Sequence, residues 1–245
     1  MRHFKTIVFA MFLTAAAGCS KNGIQSDGNG KLLLSLTQDE MVADLTRSNV
    51  SDFTALPASG DFTITITNSE SSTVWSGKIS EWDSSTLLPA GNYSVEAAYG
   101  ASDVEGFDCP YFHGSKDFAV VGGQTTTVSV PVTLANTVVR IVCTQQFKNW
   151  FRDWSFKFTR DGADIVAFAK DESRGAFIDG YKITLEGTFL TETRTVNFSK
   201  EYTNLDEATA YTFNFDVTNV GGATLTVSFN NTTETIDLGD YELNN

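Results

Sequence analysis

The chain has 245 residues, of which 41% are hydrophobic and 19% are charged, so it can bury a core and is not a disordered tail. Thirty acidic side chains against 17 basic ones give a net charge of −13. This charge excludes nucleic acid as a partner, because phosphates need basic residues to neutralise them. With two histidines and three cysteines, a His-rich metal site is excluded and histidine-dependent catalysis is disfavoured. We therefore expect no metal, no cofactor and no enzymatic activity.

The first 18 residues have the pattern of an export signal. Arg2 and Lys5 precede an apolar run that is too short to span a bilayer, and the run ends in Ala-Ala-Ala-Gly before Cys19. Small residues directly before a cysteine resemble a bacterial lipoprotein signal, which implies cleavage before Cys19 and acylation of this residue. The alternative is an ordinary signal that is cleaved nearby, with Cys19 incidental.

Residues 19–30 are mostly small and polar, and they predict a flexible tether. Removal of residues 1–18 takes away two bases and no acid, so the net charge becomes −15. Such a chain is repelled by anionic head groups. Lipid, rather than a basic patch, would therefore have to hold the protein on the membrane.

From residue 31 onward, short segments alternate between polar and apolar residues, and Gly, Pro, Asn and Asp recur between them. This pattern is typical of half-buried antiparallel strands. The clearest segments are Asp61–Thr67, Asn92–Tyr99, Thr125–Leu134, Thr137–Cys143, Thr212–Val217 and Thr224–Phe229, and further strand candidates are Leu32–Leu36 and Trp150–Phe158. Only two stretches, Asp39–Arg47 and Asn204–Ala210, suggest a helical turn or two.

The predicted fold is all-β, with two Ig-like or transthyretin-like antiparallel β-sandwiches. The two-residue link Ala135-Asn136 is either a hairpin turn or the point where the chain passes from one sandwich to the next. Because each half is of sandwich size, we predict domains at residues 31–135 and 136–245.

One segment carries a more specific signal. It contains Leu-Pro-Ala-Gly-Asn-Tyr at 88–93, Ala-Ala-Tyr-Gly at 97–100, Pro-Tyr-Phe-His-Gly at 110–114 and Leu-Ala-Asn at 134–136. In the first of these, Pro and Gly turn the chain sharply into a strand that begins at Tyr93. This order of motifs resembles the Bacteroides-type lipoproteins of the domain-of-unknown-function family 4493. The resemblance implies a cell-adhesion protein akin in architecture to fimbrillin-like pilins, with no established catalytic residues.

The pilin resemblance gives Arg47 a possible role in processing. In fimbrillin-like pilins a protease cuts after an arginine near the N-terminus, and loss of the first strand opens a groove for a strand of a partner. Here Arg47 follows the predicted strand Leu32–Leu36. The alternative is a solvated arginine in a loop.

The remaining cysteines, Cys109 and Cys143, reach an oxidising compartment after export, where a disulfide is permitted. They either pair or remain separate, with Cys143 as a small core residue. His113, the one histidine after the signal, lies in the Pro-Tyr-Phe-His-Gly segment, and we interpret it as a turn residue rather than a general base.

The aromatic residues between 147 and 158 offer a second function. On a strand, Trp150 and Trp154 would share one face, either as core or as an exposed platform that stacks on a sugar ring. Trp75 and Trp82 allow the same two interpretations.

Two hypotheses follow. The first is a non-enzymatic lipoprotein of the bacterial envelope, on either face of the outer membrane, that acts in adhesion or as a fimbria-like subunit. The second is a surface lipoprotein that binds glycans through exposed aromatic side chains. Other envelope proteins or glycans are the expected partners.

Overall fold

The computed structural model describes residues 28–43, 48–218, 224–229 and 232–237. Alternation of polar and apolar residues produces strands through most of these ranges, and the all-β prediction is confirmed. The strands of the N-terminal half are β1 (Asn29–Gln38), β2 (Met41–Val42), β3 (Ser48–Asn49), β4 (Thr63–Asn68), β5 (Thr73–Lys78), β6 (Leu87–Pro89), β7 (Gly91–Tyr99), β8 (Gly106–Phe107), β9 (Phe112–Val120) and β10 (Thr125–Leu134).

The described part of the C-terminal half contains nine further strands and one α-helix. In chain order they are β11 (Thr137–Cys143), α1 (Gln145–Trp150), β12 (Asp153–Arg160), β13 (Ala163–Phe168), β14 (Ala176–Ile178), β15 (Lys182–Leu190), β16 (Thr195–Thr203), β17 (Ala210–Thr218), β18 (Thr224–Phe229) and β19 (Thr232–Asp237). Three short 3-10 helices lie at Val50–Asp52, Ser59–Asp61 and Ile79–Glu81.

Seven strands of the N-terminal half form one sheet in the order β5-β4-β7-β9-β10-β1-β6, and β2 and β3 form a separate two-stranded sheet. β10 pairs with β1 along Thr125–Val132, but with β9 only at Thr133 and Leu134. One long strand therefore joins two parts of the sheet, whose apolar faces share a core. Its strand residues include Leu32, Ile64, Ile66, Val95, Ala97, Val128, Val130 and Val132, all 5% exposed or less.

The C-terminal half has a six-stranded sheet, β19-β18-β17-β11-β14-β8, and a four-stranded sheet, β13-β12-β15-β16. Their apolar residues form a second core rich in phenylalanine, with Phe156, Phe158, Phe189, Phe213 and Phe215 at its centre. The rings of Phe156 and Phe215 lie 4.5 Å apart between centroids and are tilted by 50°. Tilted rings at this distance stabilise a core beyond the area that they bury.

Both halves contain one parallel pair, which the antiparallel prediction did not include. β1 is parallel to β10 and antiparallel to β6, while β11 is parallel to β17 and antiparallel to β14. Polar–apolar alternation is the same in parallel and antiparallel strands, so it gives no information about strand direction.

Each of the two cores is contacted by residues from both sides of the Ala135-Asn136 link. Val138, Phe177 and Ala210 pack into the core of the N-terminal half, and Phe107 packs against the core of the C-terminal half. The proposed boundary at 135/136 therefore stays a prediction.

The local helix predictions were wrong where the structure tests them. Asn204–Ala210 contains no helix, and Met41–Val42 is a strand, while residues 44–47 lie outside the described ranges. Conversely, α1 lies inside a region with no helix prediction. Thr144 begins it as N-cap, because its hydroxyl oxygen accepts a hydrogen bond from the Phe147 N–H at 3.2 Å.

Candidate functional site

The first strand is the feature of this fold that the functional hypotheses use most directly. β1 lies inside its sheet, between β10 and β6. It pairs with β10 in parallel from Lys31–Thr125 to Gln38–Val132, whereas β6 covers only Asn29–Lys31. Within the described residues, the side of β1 that faces β6 has no strand partner after Lys31.

Alternate side chains of β1 hold it against the core. Leu32 is fully buried, and Leu34 and Leu36 are partly buried against the same core. Trp82 adds a directional contact, since its indole Nε1 donates to the carbonyl oxygen of Leu32 at 3.0 Å. At Gly30, a Cβ would collide with the carbonyl oxygen of Val121, so only glycine fits there.

The outer face of β1 is polar apart from one leucine. The hydroxyls of Thr37 and Ser129 are hydrogen-bonded across to β10 at 2.6 Å. Leu33 is 43% exposed, and Leu87 on β6 is 55% exposed. The strand therefore presents one buried row and one solvent row, because successive side chains of a strand point to opposite faces.

The chain after β1 is anchored to the C-terminal half. The Ala43 N–H donates to the carbonyl oxygen of Ala208 at 2.7 Å, and the Ala210 N–H donates to that of Ala43 at 2.8 Å. Val42 and Val50 are fully buried. The proposed processing residue Arg47 lies outside the described residues, as does the proposed lipid-attachment residue Cys19.

The cysteines of the described chain are not joined. Both Cys109 and Cys143 are free thiols, so the interpretation of two separate cysteines agrees with the structure and the bridge does not. The Cys109 thiol donates to the carbonyl oxygen of Phe107 at 3.2 Å. Burial raises the pKa of the Cys143 thiol to about 12, because the apolar surroundings disfavour a thiolate.

The tryptophans do not form an exposed platform, and the prediction that Trp150 and Trp154 share a strand was wrong. Trp150 ends α1, and β12 begins only at Asp153. Trp154 is 6% exposed and belongs to the core, and the ammonium of Lys170 lies 4.5 Å from its ring centroid. The exposed row of Trp150 and Trp154 that a sugar platform requires is therefore absent from the described structure.

The other two tryptophans give the same result. Trp75 and Trp82 are partly buried and pack edge to face, with ring centroids 5.2 Å apart. Among the described aromatic residues, Tyr181 is the one large exposed ring, at 72%.

His113 lies inside β9 rather than in a turn, which corrects our interpretation of it. It pairs with Thr133 of β10, and its ring centroid is 6.1 Å from that of Tyr111. In the part of the chain that the structure describes, His113 forms no ion pair with a carboxylate, and no group of three or more metal-ligating side chains is found.

The structure also contains a contact between the halves that the sequence did not predict. Residues 100–110 leave the N-terminal sheet, and β8 in this segment pairs with β14. The Phe107 ring lies 4.9 Å from that of Phe168 and 4.4 Å from the guanidinium carbon of Arg174. We name this segment the clip. Its two-residue strand is too short for any alternation to reveal it.

A partly buried ion pair reinforces the clip. The Glu105 carboxylate accepts from both terminal nitrogens of Arg160, at 2.7 and 3.0 Å, and from the Asp179 N–H at 2.6 Å. The carboxylate raises the pKa of Arg160, chiefly through these hydrogen bonds. The two-pronged geometry fixes orientation as well as charge.

No described helix is long and apolar enough to cross a membrane. The candidate functional site of the described residues is strand β1 with its sheet neighbours β10 and β6.

Comparison with known proteins places the chain in a family. The profile of the domain of unknown function DUF4493 matches residues 28–239. A search of curated proteins finds no match.

Solved structures show distant similarities. One is a candidate adhesin from Bacteroides thetaiotaomicron, with 13% identity, a TM-score of 0.48 and coverage of 86% of this chain and 98% of that chain. A fimbrial assembly protein from Parabacteroides distasonis has 7% identity, a TM-score of 0.48 and coverage of 85% and 98%. The fimbrial anchor protein Mfa2 from Porphyromonas gingivalis has 7% identity, a TM-score of 0.44 and coverage of 84% and 98%. No functional conclusion follows from similarity at this level.

Proposed function

The chain belongs to the DUF4493 family, and from this premise we propose that it is a non-enzymatic lipoprotein of the bacterial envelope that acts in cell adhesion or as a fimbria-like subunit. In this proposal Cys19 carries the lipid, and the β-structure after the tether makes the contacts. The membrane involved is the outer membrane.

The observation that carries the proposal is the position of β1. A cut after Arg47 would separate β1 and β2 from all later strands. Because β1 lies between β10 and β6, its removal would expose the backbone edge of β10 that now pairs with β1. It would also expose the core around Leu32. A strand of a partner could then restore both the backbone hydrogen bonds and the buried leucine row.

The long pairing with β10 makes such an exchange specific. Eight residue pairs fix the register between Lys31 and Gln38. A slip of one residue would turn Leu32, Leu34 and Leu36 to solvent and bury polar side chains. An incoming strand must therefore match this alternation.

The burial of Trp154 disfavours the glycan hypothesis. That hypothesis needed Trp150 and Trp154 on an exposed face, and Trp154 is in the core. We therefore do not extend it as a second function.

Treatment with an arginine-specific protease tests the proposal. We expect cleavage after Arg47, shown by N-terminal sequencing, followed by polymers visible by size-exclusion chromatography and electron microscopy. Arg47→Gln should abolish both, while Arg152→Gln, which replaces an exposed arginine of the C-terminal half, should change neither. Cys19→Ser should release the protein from the membrane fraction. An intact N-terminus with no polymer would reject the subunit role, and unchanged fractionation of Cys19→Ser would reject the lipid anchor.

A further inference from the structure

A small pocket opens at one end of the C-terminal core. It lies between the end of β11, strand β12 and the β13–β14 turn, with α1 beside it. Its volume is about 150 Å³. Sites for drug-sized ligands measure several hundred Å³, whereas an engineered apolar cavity of comparable size binds benzene. The space suits a single ring.

The floor of the pocket is apolar and largely aromatic. Ile141, Trp154, Phe156 and Phe168 line it, and each is 6% exposed or less. Such walls favour a ring that packs by its edge or face, because aromatic pairs gain from tilted contacts. Lys170 over the Trp154 ring keeps the indole in place.

The charges at the rim are already compensated within the protein. Lys148 Nζ lies 2.9 Å from the carboxylate of Asp171, and Glu172 pairs with Arg174 at 2.9 Å. The Cys143 thiol, which also lines the pocket, stays protonated at neutral pH. No lining charge is therefore left to attract an ion, and the lining favours a neutral ligand.

The Lys148–Asp171 pair joins α1 to the β13–β14 turn across the rim. Both side chains are well exposed, at 38% and 56%. Exposed ion pairs of this kind contribute little stability, so the rim can open without a large loss.

We propose that this pocket binds one neutral aromatic ring. The ring packs against the apolar side chains of the floor, and its edge lies beside the ion pair of Lys148 and Asp171 at the rim. The inference does not depend on the proposed function. The ring belongs either to a small molecule or to an aromatic side chain of a partner polypeptide, since both present the same chemistry.

Fluorine NMR on the full chain tests the proposal. Two probes, 4-fluorophenol and N-acetyl-4-fluorophenylalanine amide, represent the free ring and the side chain. Saturable binding of either is expected, and the tighter probe identifies the source. Cys143→Ser, which keeps the volume, should bind as the wild type does. Cys143→Met, which fills the pocket, should bind at least tenfold more weakly.

Absence of saturable binding, or equal binding by Cys143→Met, would overturn the proposal. A second measurement does not depend on the folding of that variant. In the wild-type protein, the probe should shift the methyl NMR signals of Ile141, which lines the pocket, without affecting those of Ile64 in the other core. Unchanged Ile141 signals at saturating probe would also overturn it.

Discussion

At the scale of single residues, the carboxylate of Glu172 has a strongly lowered pKa. Hydrogen bonds from the Arg174 guanidinium and from the Arg174 N–H lower the pKa of Glu172 to about 2, against an ordinary value of 4.5. Arg174 also contacts the clip through Asp108 and Phe107. Glu172 therefore orients the cation that lies on the clip.

The pH dependence follows from the direction of this shift. Because the folded pKa is below the unfolded one, the group stabilises the fold fully above about pH 4.5, and this contribution is lost as the pH falls towards 2. We expect the Glu172 carboxyl carbon to titrate by NMR with a midpoint near 2. Glu172→Gln should remove this signal and thereby assign it. In the same variant, the urea concentration at the unfolding midpoint should fall less steeply as the pH is lowered from 4.5 to 2. A midpoint near 4.5 would show that the Arg174 contact does not form in solution.

Residue-level prediction from the sequence succeeded for buried rows and failed for Trp150. Alternation correctly indicated that Trp154, Phe156 and Phe158 share a face, and all three are buried. Trp150 was assigned to the same strand because a helix of six residues leaves too short a pattern to detect. Its sequence signal, the cap residue Thr144, is weak without a longer amphipathic stretch after it.

At the scale of elements, β1 completes the core of the N-terminal half with one of its faces. Its leucine-rich sequence predicted a strand at Leu32–Leu36, but the three consecutive leucines did not indicate which face is buried. The parallel pairing with β10 has no sequence signal either, because strands distant in sequence meet through tertiary packing. The same reason applies to the parallel pair β11–β17.

Two substitutions in β1 test whether its buried side chains contribute more to stability than its exposed ones. Leu32 is fully buried and Leu33 is 43% exposed. We expect Leu32→Ala to lower the free energy of unfolding by about 2 to 5 kcal/mol, the usual cost of truncating a buried leucine. Leu33→Ala should cost less than about 1 kcal/mol, since exposed substitutions rarely cost more. Urea denaturation of both variants gives the comparison, and equal losses would show that the register of β1 is wrong.

At the scale of the whole molecule, the clip and the shared core residues join the two halves. The sequence predicted two sandwich-sized units and the all-β class, because both depend on local alternation and length. It did not predict the clip, since Gly106–Phe107 is short and Glu105 and Arg160 are 55 residues apart. Contacts of this kind depend on the assembled fold and leave no periodic pattern.

Coupled unfolding is the expected consequence of the clip. The wild-type protein should unfold in one calorimetric transition. Phe107→Ala removes the ring between Arg174 and Phe168, so we expect the transition to broaden or separate into two. Tyr181→Ala, which truncates an aromatic ring that is 72% exposed, is the control and should leave one transition. A single unbroadened transition in Phe107→Ala would mean that the clip does not couple the halves.

The claim that a partner's strand can take the place of β1 has a direct measurement. Protein cleaved after Arg47 is mixed with a fluorescent peptide of residues 28–39, and anisotropy reports its incorporation. The account predicts saturable exchange with the wild-type peptide and none with a peptide that carries Leu32→Asp, because a carboxylate cannot enter the core. No incorporation of the wild-type peptide, or equal incorporation of both peptides, would contradict the account.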